Sequence, residues 1–377
     1  MDNFSVRNPM KRPDYVFYHT PTVMEMRQRA IQAMQDFLSI QWKTHKHIAH
    51  SKNGAVSHKR FIYEANIIHA GIPYTDAGKG LFQFMEFYNE DTGHLEFYGD
   101  GPDFNANIGG TCACGVCWSL ATVCHTIGGR FINFWMTPMH GYYPVSGYKS
   151  PADVDEFRQY QTSRIIEENG QDRMVEAYMA IQPADAVCSS DKDHTMMCID
   201  YPVVVRDDQG NVDLDKSYVM IADQRGGNGK GFYVDREEDD LLYYCGRTSF
   251  KYTFRMLLNE FYIPVTPAEF LGTVPYERAK VEYQGQCATK EDLINGKITS
   301  NYPMAVIKLI LTKGNGHKVM IDRYMINRSD IHPSINLARL YPLKEFEEAI
   351  NNAEGTQLEV QVTTSNGEVL TPVTIRL

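Results

Sequence analysis

The sequence predicts an α+β protein in which a buried, cysteine-bearing helix lies on an antiparallel sheet, with a β-rich part following at the C-terminus. Three observations lead there. The run from Asn107 to Arg130 is mostly apolar and is bounded by two glycine pairs, Gly109-Gly110 and Gly128-Gly129, with Thr111 in the capping position. Those are the start and stop marks of a buried helix. His194 to Val205 and Tyr218 to Gln224 are β runs joined through an Asp-Gln-Gly-Asn turn, which reads as an antiparallel hairpin. Beyond about residue 265 strand patterns dominate.

Taken in order, Thr22 to Trp42 places Val23, Met26, Ala30, Ala33, Met34 and Phe37 at helical spacing, and Thr22 with Glu25 makes a capping box. His45, His47, His50, His58 and His69 sit among polar residues with no repeated ligand spacing, so a solvated loop and helix edge is expected rather than a metal site. Phe61 to His69 reads as a second helix that Gly71-Ile-Pro73-Tyr74 ends, and Asn89 to Asn107 reads as an acidic loop. After the cysteine helix, Phe131 to Met136 is expected to be extended, and Pro138 to Tyr148 to be loop. Helices are expected over Ala152 to Glu168 and Gln171 to Ala180, divided at Asn169-Gly170, and another over Ser249 to Phe261. The last part reads as strands at Met304 to Leu311, His317 to Met325, Leu358 to Thr363 and Val369 to Ile375, interrupted by one helix from Leu343 to Asn352.

A chain of 377 residues is long enough for more than one core. The expected division is an N-terminal helical extension (1–60), a cysteine-helix domain (61–264) with a helical insertion at about 150–181, and a β-rich accessory domain (265–377). Apolar residues at 43% and charged residues at 22% are ordinary for a globular chain, and no apolar run reaches the roughly 20 residues of a membrane span. A formal charge of −10 without a long basic block would repel a phosphate backbone, which argues against nucleic acid as a partner. Residues 1–13 hold no apolar run of the kind an export signal needs, leaving cytoplasmic, processed, trimmed and otherwise exported chains open. Eight cysteines are too few for a disulfide scaffold, and four fall between 112 and 124 on one expected helix, so free thiols are expected.

A cysteine nucleophile needs a lowered thiol pKa, an imidazole within reach and a third polar group to orient that ring. Cys112 falls in the first turn of the expected helix, where unpaired amides and the helix dipole favour a thiolate. His194 opens a strand after a polar loop, and Asp223 and Gln224 end the neighbouring strand, where alternation allows only one of them to share the histidine's side. Asp223 is favoured because a carboxylate also stabilises the imidazolium, with Gln224 kept as the other choice.

The succession Gly71-Ile-Pro-Tyr74, Thr111-Cys112-Ala-Cys-Gly-Val-Cys-Trp118-Ser-Leu, Ile181-Gln-Pro-Ala-Asp185-Ala-Val and His194-Thr-Met-Met resembles the ordered motifs of the NlpC-type cell-wall peptidases, over roughly residues 60 to 225. The resemblance implies a papain-like fold and a Cys/His/polar site that hydrolyses amide bonds in murein stem peptides, at the cell envelope or outside the cell. It implies Cys112 as nucleophile, His194 as base, Asp223 or Gln224 as third residue, and Tyr74 and Trp118 as substrate-binding aromatics, with no metal or organic cofactor. Cys114 and Ala184 stand where the family usually has glycine, and the interval from Cys112 to His194 is long, so the 150–181 insertion is expected outside the core. Gly115-Val-Cys117-Trp118 also resembles the transglutaminase-like pattern, which would make Cys117 the nucleophile with His194 and Asp223 as its partners. A metal cluster of Cys112, Cys114, Cys117, Cys124 and His125 is disfavoured, because residues two apart on a helix diverge. The glycine-rich Arg225 to Gly231 loop lacks the first glycine of a phosphate-binding pattern, since Gln224 occupies that place.

Overall fold

The computed structural model describes residues 6, 8–51, 60–127, 141–151, 161–225, 233–237, 240–326, 333–340 and 343–377. The expected strand at 131–136, the first three residues of the 138–148 loop, the start of the 152–168 helix, His58, the second glycine pair and the glycine-rich 226–231 loop lie outside them. Within them the chain is a mixed α+β fold, with nine α-helices and mainly antiparallel sheets among the described residues.

The first helix, α1 (Val23–Ser39), starts at the expected capping box, where Thr22 accepts from the Glu25 amide and the Glu25 carboxylate accepts from Thr22. Its buried stripe, Met26, Ala30, Ala33, Met34 and Phe37, faces the cysteine helix. There Gly115 leaves room for the Phe37 ring, which a Cβ would meet at 3.1 Å. Next come β1 (Gln41–Thr44), β2 (Ile48–Ser51), β3 (Arg60–Tyr63) and β4 (Ile68–Ala70).

The helix expected at Phe61 to His69 is therefore two strands. Phe61 and Tyr63 are buried on either side of a half-buried Ile62, which is a period of two, and Asn66 turns the chain with φ 62°. The solvated reading of the histidines holds for His45 and His47 but fails for His50 and His69, which are buried among aromatic rings. Burial pushes both imidazoles down to about 4. Since β1 pairs with β4 and β2 with β3, residues 41–51 belong to the same sheets as residues 60–70 and are not a separate helical extension.

Two short helices, α2 (Leu81–Met85) and α3 (Gly101–Asn107), flank β5 (His94–Leu95), so much of the expected acidic loop is ordered. Asp100 caps α3 by accepting from the Asp103 amide, and Pro102 sits in its first turn. The cysteine helix α4 (Cys112–Leu120) is buried along its whole length and stops well short of Gly128. Hydroxyls compete with the backbone at that end: Ser119 donates to the Gly115 carbonyl and Thr122 to the Ser119 carbonyl, both at 2.7 Å.

The central sheet has six strands, all antiparallel. They are β6 (Tyr142–Pro144), β7 (Ala186–Ser189), β8 (His194–Cys198), β9 (Tyr218–Gln224), β12 (Gly246–Thr253) and β13 (Ile263–Pro267), in the order β12-β9-β8-β7-β13-β6. Helix α4 lies on β8 and β9, and α1 packs against α4 and reaches β9 and β12. Between β9 and β12, β10 (Tyr233–Glu237) and β11 (Asp240–Tyr244) extend the sheet that holds β4, β1 and β5.

Helices α5 (Thr162–Asn169) and α6 (Gln171–Met179) meet at Gly170 (φ 77°). They are not outside the core, because Ile165, Met174, Ala177 and Tyr178 are part of it. The helix expected over 249–261 reduces to α7 (Phe254–Asn259), its first residues being the end of β12.

A boundary at 265 would cut β13, which pairs with β7 and β6, so the C-terminal sheets begin beyond it. They comprise a three-stranded sheet of β14 (Val281–Gln284), β15 (Lys297–Ser300) and β18 (Ser334–Asn336), and a four-stranded one of β16 (Met304–Thr312), β17 (Lys318–Met325), β19 (Gln357–Thr364) and β20 (Val369–Arg376). Helices α8 (Lys290–Ile294) and α9 (Leu343–Asn351) accompany them. No helix among the described residues is long and apolar enough to cross a membrane.

The Ile181 to Val187 motif has a structural role. Buried Arg27 of α1 donates to Asp185 at 2.8 Å and to the Pro183 carbonyl at 2.6 Å, tying the helix to the start of β7. Replacing Asp185 with Ala leaves that guanidinium buried without its carboxylate and is expected to cost about 3–5 kcal/mol. Urea unfolding of the variant against the parent measures it.

Candidate active site

The site is assembled from four places in the chain: the start of α4, the turn before β8, the ends of β9 and β12, and the 71–79 segment. Thr111 precedes α4 without capping it, because its hydroxyl donates to Cys114 Sγ at 3.4 Å. The first amides of the helix therefore keep their donor capacity at the Cys112 end. Gly109 (φ 94°) and Gly110 are there for close packing: a Cβ would come within 2.2 Å of the Pro73 carbonyl at Gly109 and 2.7 Å of the Lys79 carbonyl at Gly110. That approach lets Thr75 N–H donate to the Gly110 carbonyl and Gly110 N–H to the Pro73 carbonyl, which brings Tyr74 beside the helix start.

His194 is positioned by the turn ahead of it. Asp191 accepts from Ser163 N–H at 2.9 Å, Ser163 Oγ at 2.8 Å and Thr162 Oγ1 at 2.9 Å, so the helical insertion pins this turn at the N-terminus of α5. Asp193 then takes a left-handed conformation (φ 47°), and its carbonyl oxygen lies 3.9 Å from Cys112 Sγ. His194 and Cys112 face one another closely enough for each to shift the other's titration. The Nε2 atom of His194 lies 2.9 Å from Asp223 Oδ2, which leaves Nδ1 for the sulfur.

Electrostatics follow from this contact. Burial pushes the Cys112 thiol up, but the charge and hydrogen bond of His194, together with the Thr195 amide, outweigh it and bring the pKa below the ordinary thiol value. Burial pulls His194 down, while Cys112 and Asp223 push it up to about 9. Buried Asp223 would be raised by desolvation, yet Arg247 and His194 hold it well below the usual carboxylate range. The shifts favour a thiolate beside an imidazolium, the charge state a cysteine nucleophile requires.

The other candidates are placed elsewhere. Gln224 points to the opposite face, as strand alternation requires, and donates to the carbonyls of Ile72 and Pro73 at 2.7 and 3.1 Å. Cys117 is not the nucleophile's equal: it faces the core, receives a hydrogen bond from the Tyr142 hydroxyl at 3.4 Å, and burial pushes its pKa up. Trp118 is likewise a core residue and not a cleft aromatic, because its ring packs on Gly80 and its N–H donates to the Gly78 carbonyl at 3.2 Å. Tyr74 is at the site, hydrogen-bonded with Cys112, and burial pushes its phenol up so that the hydroxyl stays protonated. Among the described residues no group of three or more His, Cys, Asp or Glu is placed to hold a metal ion.

Two functional neighbours escaped sequence reasoning. Arg247 donates Nε to Asp223 Oδ1 at 2.8 Å and Nη2 to Oδ2 at 2.7 Å, and Arg225 donates Nε to Oδ2 at 2.8 Å. The readable signal for Arg247 was the alternating run Gly246 to Thr253, rich in Thr, Phe and Tyr, which makes it the cross-strand partner of Asp223.

The candidate site thus brings Cys112, His194 and Asp223 together on an α+β scaffold. No family model, no curated protein and no solved structure matches the chain.

The coupled pair makes a pH prediction. Alkylation by iodoacetate, whose negative charge favours a thiolate beside an imidazolium, is expected to rise at a pH below that of an ordinary thiol. It should fall again as His194 loses its proton near 9. Mass spectrometry should find the label on Cys112 and not on Cys117, and an equal distribution would contradict the assignment.

Proposed function

We propose that this protein is a papain-like cysteine hydrolase that cleaves amide bonds in murein stem peptides. The observation that carries the reading is that Cys112, unlike Cys117, has His194 among the groups that shift it downward, and that this imidazole rests on a buried carboxylate. Supporting it, the motifs at 71–74, 111–120 and 194–197 meet around one sulfur, while the 181–187 motif anchors the sheet beneath.

In this mechanism Cys112 Sγ adds to the amide carbonyl carbon, and the π electrons move onto oxygen. The oxyanion is received by the amides at the start of α4, with the Tyr74 hydroxyl beside them. His194 passes its proton to the amide nitrogen, the C–N bond breaks, the amine leaves and a thioester remains. Water then gives a proton to His194 and adds to the thioester, releasing the acid and restoring the thiolate–imidazolium pair. The chemistry calls on no cofactor. Transfer of the same acyl group to an amine instead of water is the competing outcome, and a partition assay separates the two. An intact triad weighs against a binding module that has lost its site.

Purified protein incubated with a murein stem peptide is expected to release a new amine. Cys112→Ala should abolish the release, and His194→Ala should lower kcat/KM by about 10²–10⁴-fold. Turnover that survives in Cys112→Ala would overturn the assignment. Turnover only with a glutamine donor and an amine acceptor would replace hydrolysis by acyl transfer.

A further inference from the structure

The triad carboxylate carries more positive charge than orienting a histidine requires. Asp223 Oδ2 accepts from His194 Nε2, Arg225 Nε and Arg247 Nη2, while Oδ1 accepts from Arg247 Nε, all within 2.9 Å. The Arg247 side chain is nearly buried, stacks over the Phe250 ring at 4.0 Å, and is the register partner of Asp223 across β9 and β12. The strand pair slips out of register just beyond it, between Arg247 and Phe250. Arg225, half-exposed, comes from the residue after Gln224. One carboxylate thus faces two guanidiniums and an imidazolium.

We propose that Arg247, with Arg225 beside it, is a positioning residue of the triad. Its two-point clamp fixes where Asp223 presents Oδ2 and takes up much of that carboxylate's charge, so that the imidazolium depends chiefly on the Cys112 thiolate. The inference rests on the triad reading above. A bidentate guanidinium holds a carboxylate in one orientation, and the charge it neutralises is no longer offered to the ring behind it. In keeping with that balance, Cys112 outranks Asp223 among the groups that raise His194.

Among the described residues, the groups around His194 are Cys112 from α4, Asp223 from β9 and the Tyr262 ring, which meets the imidazole edge-on at 6.4 Å, with Asp193 of the turn acting on the sulfur. Tyr74 lies beyond the sulfur, Arg247 and Arg225 beyond the carboxylate, and Tyr252 with Glu260 beyond Tyr262. The two arginines are the cations in this set, so removing either favours protonation of the ring.

Iodoacetate alkylation against pH reads this without a substrate. In Arg247→Gln the alkaline limb near 9 is expected to move up by about 0.5–1 pH, and in Arg225→Gln to move in the same direction by less. Arg247→Lys, which keeps the charge but not the fork, is expected to leave the limb in place while lowering the maximal rate. An unmoved limb in Arg247→Gln overturns the proposal, because a merely structural arginine changes stability and amplitude but not the limb. Should that variant fail to fold, Arg225→Gln decides in the same way, since its exposed arginine is not part of the core. A parent protein whose Cys112 titrates like an ordinary thiol is a different failure: it removes the triad reading and this inference with it.

Discussion

Everything at the site depends on one buried contact, Cys112 against His194. In water a thiol and an imidazole gain little by exchanging a proton, but at 3% exposure for Cys112 the charged pair is stabilised only by the groups fixed around it. Those groups are the Thr195 amide and the uncapped helix start for the sulfur, and Asp223 for the ring. The fold can be understood as the means of holding these three in place. Helix α4 is packed on the central sheet beside α1, the insertion helix pins the turn before His194, and Arg247 of β12 with Arg225 after β9 keeps Asp223 ionised.

This arrangement also separates the cysteines by environment. Cys112, Cys114 and Cys117 lie within two turns, yet the helix sends them in different directions, toward the imidazole, toward Thr111 and toward Tyr142. The same burial acts on Cys112 and Cys117, and only the first has a cation to offset it. Sulfur density in the sequence is therefore a packing feature of a helix buried on every side, in which the first-turn position meets the imidazole.

Much of this was legible in the sequence, and the failures share a cause. The α1 capping box, the long C-terminal strands, the β8–β9 hairpin and the choice of Asp223 over Gln224 follow from local spacing and strand alternation. The short strands at 61–69 were misread as helix because three or four residues cannot establish a period, and the end of β12 at 249–253 because its place is settled by pairing with the distant β9. The loss of β12 hid Arg247, since a cross-strand neighbour of Asp223 exists only once the strand does. Trp118 was misassigned for a similar reason: its spacing from Cys112 is visible in sequence, but which side of α4 meets the core is set by Gly80 and the C-terminal part.

The C-terminal sheets bear on the site through the 71–86 segment. Lys79 is buried and donates Nζ to the carbonyls of Met325 and Ile326 at 2.8 and 3.2 Å, and Gln83 Nε2 donates to Ile326 at 3.1 Å. Glu86, one turn further, accepts from Lys308 at 2.8 Å. The same Lys79 gives its backbone N–H to the Gly109 carbonyl, and Ser365 reaches the end of the cysteine helix by donating to the Ala121 carbonyl. Both ends of α4 are thus tied to strands that close more than 200 residues later in the sequence, as is the segment presenting Tyr74 to Cys112. A buried ammonium satisfied by carbonyls from another sheet is costly to separate from them. The β-rich part is accordingly a structural wall of the site as much as an appendage, and the position of Tyr74 beside Cys112 is set in part by residues 325 and 326.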